Sequence, residues 1–255
     1  MDKQKVITVL RTTLALAVWL AVVKLYGAFI DPLLKGVLPD VVRMILSSMV
    51  VAYTVALGAC CLVLIGMPRG LPEPKEKITA WLILRGFIVQ TGLAMPPLFL
   101  INIILRLTGH DIGGITAEEL FGNIWFYIVL LLIFNPVMEE LLFRKILLER
   151  LTCLGFKWAV ICSAVLFALP HVVSQGVPQM FYTFGLGLVW GYITLKTGKL
   201  WPAIILHSLS NIYGAFIPMI AAEIHPLLSG LFVMFTMGVM VPLTVLFLIK
   251  EHKKS

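Results

Sequence analysis

Residues 121–148 read FGNIWFYIVLLLIFNPVMEELLFRKILL. A helix that crosses a bilayer needs about 20 predominantly apolar residues, and this run supplies them. Yet its second half carries two adjacent carboxylates, Glu139 and Glu140, and a guanidinium, Arg144. An ionisable group at bilayer depth costs roughly 2.5–3.5 kcal/mol on insertion scales, so such residues are functional candidates by default. Glu140 and Arg144 are four residues apart, share a helix face and can pair. Glu139 is rotated by about 100° from Glu140, which leaves its carboxylate available. Two neighbouring carboxylates in a low dielectric cannot both ionise freely. Glu140 compensated by Arg144, with Glu139 as the base, suits general-base chemistry. The Glu140–Arg144 pair equally suits a salt bridge that staples two helices.

The rest of the chain has the same character. Of 255 residues, 60% are hydrophobic and 13% charged, and mean hydropathy is +1.01. Soluble domains carry about 25% charged residues, so a disordered chain, a nucleic-acid-binding domain and an ordinary soluble enzyme are excluded. Eight apolar runs cover roughly 8–30, 43–66, 78–106, 121–148, 157–176, 178–195, 200–221 and 226–249. Turn formers separate them, at Asp31-Pro32, Pro68 to Pro74, Gly109 to Gly114, Pro178, Gly198 and Pro226. The expectation is an all-α polytopic membrane protein, a bundle of about eight transmembrane helices forming one transmembrane domain over 1–255. The first run is too long for a signal peptide and reads as a retained span.

Net charge is +7. With eight spans, 15 of the 20 Lys and Arg fall on the side of the chain ends, and Lys35, Arg43 and Arg106 on the other. Lys24 and Arg85 lie inside spans. This bias predicts cytoplasmic N- and C-termini. Cys60, Cys61, Cys153 and Cys162 form no CxxC pair and read as small apolar helix residues.

Two further runs carry polar groups. Phe167 to His171 places an imidazole beside Pro170, which cannot donate a helix hydrogen bond. His207 and Asn211, at i and i+4, share one face of the seventh run and can together bind a carbonyl or glue helices. Counted from the flanking cations at 1.5 Å per residue, Glu139, His171, His207 and Asn211 all fall in the middle band of the bilayer. Arg85, Gln90 and Asn102 in the third run are weaker candidates for lining a cavity. Thr116 reads as a helix cap beside Glu118 and Glu119, and Glu223 and His225 as a solvated loop. No HExxH, GxSxG or Walker motif occurs, and all four aspartates lie in tails or loops.

The set Glu139-Glu140-x-x-x-Arg144, Phe167-x-x-x-His171 and His207-x-x-x-Asn211, each on its own apolar run, resembles the CAAX protease and bacteriocin-processing (CPBP, or Abi) family. The resemblance covers about 120–215, the expected catalytic core, and includes Gly-Lys-Leu-Trp-Pro ahead of His207. It implies an intramembrane endopeptidase in which Glu139 activates water and His171 positions or deprotonates it. It further implies that His207 and Asn211 stabilise the oxyanion while Glu140 and Arg144 hold the geometry. A metal-free mechanism with no cofactor is favoured; the alternative is Zn²⁺ held by Glu139, His171 and His207. The implied partner is a peptide or lipidated protein, with or without a prenyl group, entering from the cytoplasmic side, within membrane lipids and with no nucleic acid. The short loops, and an end in His-Lys-Lys-Ser rather than a CaaX box, point to a multi-pass protein of a prokaryotic inner membrane. The competing readings are a proton-coupled transporter and a non-catalytic scaffold of the same fold.

Overall fold

The computed structural model describes residues 2–74, 76–109 and 116–253, with the backbone alone at His252. Lys75, Lys254 and residues 110–115, including Asp111 and Gly114, lie outside the described residues. Among the described residues, eight long helices follow one another: α1 Lys3–Leu34, α2 Asp40–Val63, α3 Ala80–Leu107, α4 Ile124–Leu154, α5 Phe156–Gln175, α6 Val177–Thr197, α7 Trp201–Ile224 and α8 Pro226–Glu251. All except α6 are long and apolar enough to cross a membrane. The architecture is an all-α polytopic membrane protein. A one-turn helix, Ala117–Gly122, precedes α4 and is closed by a capping box between Thr116 and Glu119.

The exception, α6, lies in the middle of the packing. Its glycines bring backbones together: a Cβ on Gly187 would sit 3.0 Å from Cα of Ala164 in α5, and one on Gly185 3.1 Å from Cα of Ala94 in α3. Small residues permit this approach, which association within lipid depends on. Buried between neighbours, α6 needs less apolarity than a helix facing acyl chains.

The outer surface fits a lipid environment. Leu, Ile, Val and Phe side chains are widely exposed along α1, α3 and α8. The exposed tryptophans Trp81, Trp125, Trp158 and Trp201 all stand at or within two residues of a helix start, where amphipathic rings favour the membrane–water interface. The other two, Trp19 and Trp190, are buried.

Contacts gather one face of the bundle. Arg11 donates to the carbonyls of Val63 and Ile65 (2.6 and 2.9 Å), which closes the end of α2. The Gly70 N–H reaches the Glu149 carbonyl, and the Glu76 N–H the Lys196 carbonyl, each at 3.1 Å. Glu251 at the end of α8 accepts from Arg85 (2.7 Å) and Tyr192 (3.1 Å). This terminal face therefore holds the start of α1, the α4–α5 and α6–α7 turns and the end of α8. The distal face holds the α1–α2 and α5–α6 turns.

Candidate active site

The site begins with a disturbed stretch of α4. Asn135 donates its N–H five residues back, to Leu130, so the helix widens over Leu130–Phe134. Pro136 then has no N–H to give. This position gives no donor to the carbonyls one turn earlier, Leu131 and Leu132, and α7 donates to both. Asn211 Nδ2 donates to the Leu131 carbonyl (2.7 Å), and Ser208 Oγ to that of Leu132 (2.9 Å). The proline thus creates the acceptors that dock α7 against α4.

Just beyond it, Glu140 and Arg144 are fully buried. Arg144 Nε donates to Glu140 Oε2 (2.9 Å), and Nη1 to Ser163 Oγ on α5 (2.8 Å). The guanidinium lies 4.9 Å from the centroid of the Phe167 ring, a cation–π contact that compensates for Nη2, which has no hydrogen-bond partner. The other oxygen of Glu140, Oε1, faces His207 Nδ1 at 3.1 Å. One carboxylate therefore ties α4 to itself and to α7.

His207 is held on a second side. Its ring stacks on Trp190 of α6, with centroids 4.3 Å apart and planes at 21°. The indole N–H donates to Gln90 Oε1 (2.6 Å), and Gln90 Nε2 donates to the Leu206 carbonyl (3.0 Å). A chain of contacts from α3 through α6 fixes the imidazole plane.

Glu139 points elsewhere. Its Oε2 is buried without a hydrogen-bond partner, 3.8 Å from His207 Nε2 and 3.9 Å from His171 Nε2. His171 Nδ1 lies 2.9 Å from the Phe167 carbonyl. A carbonyl and a carboxylate only accept, so both histidines present Nδ1–H outward and turn Nε2 toward Glu139. Separations of 3.8 and 3.9 Å exceed a direct hydrogen bond and suit a bridging water.

Glu139 and His171 open onto a cavity of about 200 Å³ among α1, α2, α4 and α5. Trp19, Tyr53, Phe143 and Pro170 give it apolar walls; Ser47, Ser48, Ser174 and Gln175 give it a polar end. Asn135, one turn before Glu139 on the same face, also lines it, and its Oδ1 is buried and unpartnered.

The structure thus groups Glu139, Glu140, Arg144, His171 and His207. It places Asn211 on the Leu131 carbonyl instead. Sequence reasoning missed Asn135, Ser163 and Trp190. Asn135 had a signal, an amide at i−4 from Glu139; Ser163 and Trp190 are ordinary span residues that only tertiary contact singles out. Arg85 lines a different cavity, with Glu251. Gln90 supports Trp190. Among the described residues, no group of three or more His, Cys, Asp or Glu side chains is arranged to hold a metal ion. The set Glu139, His171 and His207 has donors that zinc accepts, but its N–O separations of 3.9 and 3.8 Å are wider than a closed site makes them.

A multi-pass helical membrane protein with buried glutamates and histidines on separate spans is the class that this fold and site define. Residues 121–213 match the family described as type II CAAX prenyl endopeptidase Rce1-like. The chain is also similar to the membrane-embedded CAAX protease MroQ of Staphylococcus aureus (strain USA300), at 29% identity over 150 residues. That alignment covers 54% of this chain and 58% of the relative, so the chain spans little more than half of the relative's length. No solved structure matches it. Both similarities are to CAAX-type endopeptidases, and the family match lies over the residues that build the site.

Proposed function

We propose that the protein is an intramembrane endopeptidase of the CAAX-protease type that works through glutamate-activated water. The observation that carries this reading is Glu139 Oε2, buried, unpartnered and facing both Nε2 atoms at the edge of a cavity. Buried polar groups are normally satisfied, so an acceptor left open beside two imidazoles suits a reacting water.

The step balances as hydrolysis. Water bridges Glu139 and His171 and attacks the carbonyl carbon of the scissile peptide, while Glu139 takes its proton. The carbonyl oxygen becomes an oxyanion, met by His207 through Nε2–H when the ring carries its second proton. Preorganised donors of this kind contribute roughly 2.7–4 kcal/mol each. The C–N bond then breaks, and the proton held by Glu139 passes to the leaving amine. Glu140 and Arg144 touch no reacting atom; they position His207. The substrate is a peptide bond of a peptide or protein, with or without a prenyl group, reached within the membrane.

The test is cleavage of a small peptide library, prenylated and not, by the reconstituted protein. Glu139→Gln should lower kcat by roughly 10²–10⁴-fold, and a strong chelator should change nothing. Loss on chelation restored by Zn²⁺ would overturn the metal-free mechanism. Undiminished cleavage by Glu139→Gln would overturn the assignment of the base.

A further inference from the structure

The cavity has a direction. From Glu139 it runs to Val23 of α1, Ser47 and Ser48 of α2 and Ser174 and Gln175 of α5. Ser47 and Ser48 lie in the first half of α2, and Gln175 is the last residue of α5. All of these belong to the distal half of the bundle. Lys24 stands beside this end and donates to the Val173 carbonyl (3.5 Å). Toward the terminal face the packing is closed: Cys60, Leu64, Leu142, Leu147, Leu148 and Leu151 are all 0% exposed. A peptide and its water therefore meet Glu139 from the distal side.

The distal side is also the one poor in cations. With Arg144 set aside in the site, the sequence places 14 Lys and Arg toward the terminal face and three on the other. Arg43, one of these three, is tied to Asp31 and Asp40 (2.5 and 3.1 Å), so its charge is offset. By the positive-inside rule the terminal face is cytoplasmic and the distal face looks out of the cell.

We infer that the catalytic cavity opens on the outer side of the membrane, and that its substrate is a segment of an exported polypeptide rather than a cytoplasmic prenylated protein. This rests on the protease reading and narrows its substrate class. The polar end built from Ser47, Ser48, Ser174 and Gln175 supplies hydroxyl and amide groups that suit an extended peptide backbone.

Thiol labelling tests this. The full-length protein, with its four native cysteines replaced, carries Ser174→Cys or Ser48→Cys. A second variant keeps only the native Cys153, which is exposed near the terminal-face end of α4. A membrane-impermeant maleimide should label both cavity variants in intact cells and Cys153 only in inverted vesicles. Cavity variants labelled only in inverted vesicles would overturn the inference, and labelling from neither side would overturn the proposed mouth. In the cleavage assay, maleimide on Ser174→Cys should abolish turnover. The labelling result stands apart from catalysis: a wild type inert toward every peptide, beside cavity variants labelled from outside, would sink the protease reading while leaving the access route intact.

Discussion

His207 lies flat against Trp190, with ring centroids 4.3 Å apart and planes 21° from parallel. Glu140 fixes one ring nitrogen, and the indole fixes the plane, so Nε2 is aimed at Glu139 before any substrate arrives. Trp190→Leu removes the flat support while keeping an apolar side chain. It should lower kcat with little change in KM, and Gln90→Leu should do the same more weakly. Steady-state kinetics of the reconstituted variants check this; a change confined to KM would count against a positioning role.

The two adjacent glutamates should fail differently. Glu140→Ala leaves the Arg144 guanidinium buried without its carboxylate partner, a change that costs about 3–5 kcal/mol when one member of a buried pair is removed. Thermal unfolding in detergent should show a marked drop for Glu140→Ala. Glu139→Ala removes an oxygen that has no partner, so its Tm should hold near wild type while cleavage is lost.

Asn135 is predicted to touch the substrate. Its Oδ1 is buried, unpartnered and directed to the cavity wall beside Glu139. Asn135→Ala should lower kcat/KM by at least about tenfold, the loss of one good hydrogen bond to a charged or developing group. Its Tm should not fall, since no native hydrogen bond is removed at Oδ1.

Asn211 separates docking from oxyanion binding. If its main task is to satisfy the Leu131 carbonyl, Asn211→Ala should lower Tm, and Pro136→Ala, which returns an N–H to α4, should relieve part of that loss. A double-mutant cycle on Tm measures the coupling. Additive effects would return Asn211 to catalysis alone.

Glycine packing gives a control pair. A Cβ on Gly187 meets the α5 backbone at Ala164, one turn from Phe167, whereas one on Gly58 meets nothing within 4 Å. Gly187→Ala should lower both Tm and activity by shifting the helix that carries His171. Gly58→Ala should be neutral.

Much of this was legible in the sequence. The eight apolar runs coincide with the eight helices to within several residues, because lipid makes hydrophobic length a direct physical requirement. The Glu140–Arg144 pair follows from i, i+4 spacing on one helix. The support of His207 by Trp190 and Gln90 does not, since it joins α3, α6 and α7 at separations that no local period encodes. The role of Pro136 was hidden for the same reason: a missing N–H is visible in the sequence, but the donors that replace it come from 72 and 75 residues away. The direction of the cavity also had to be seen. Depth counting places the polar residues in one layer but says nothing of which side is plugged.

The modest apolarity of α6 has a consequence for biosynthesis. A translocon releases segments into lipid according to their hydrophobicity, and Val177–Thr197 falls short of the level that its neighbours reach. Only Gly176 separates it from α5. Insertion together with α5 as one hairpin, with Gly187 against Ala164, would offset that shortfall. It would carry His171 and Trp190 into the bilayer in one event, ahead of the imidazole of α7.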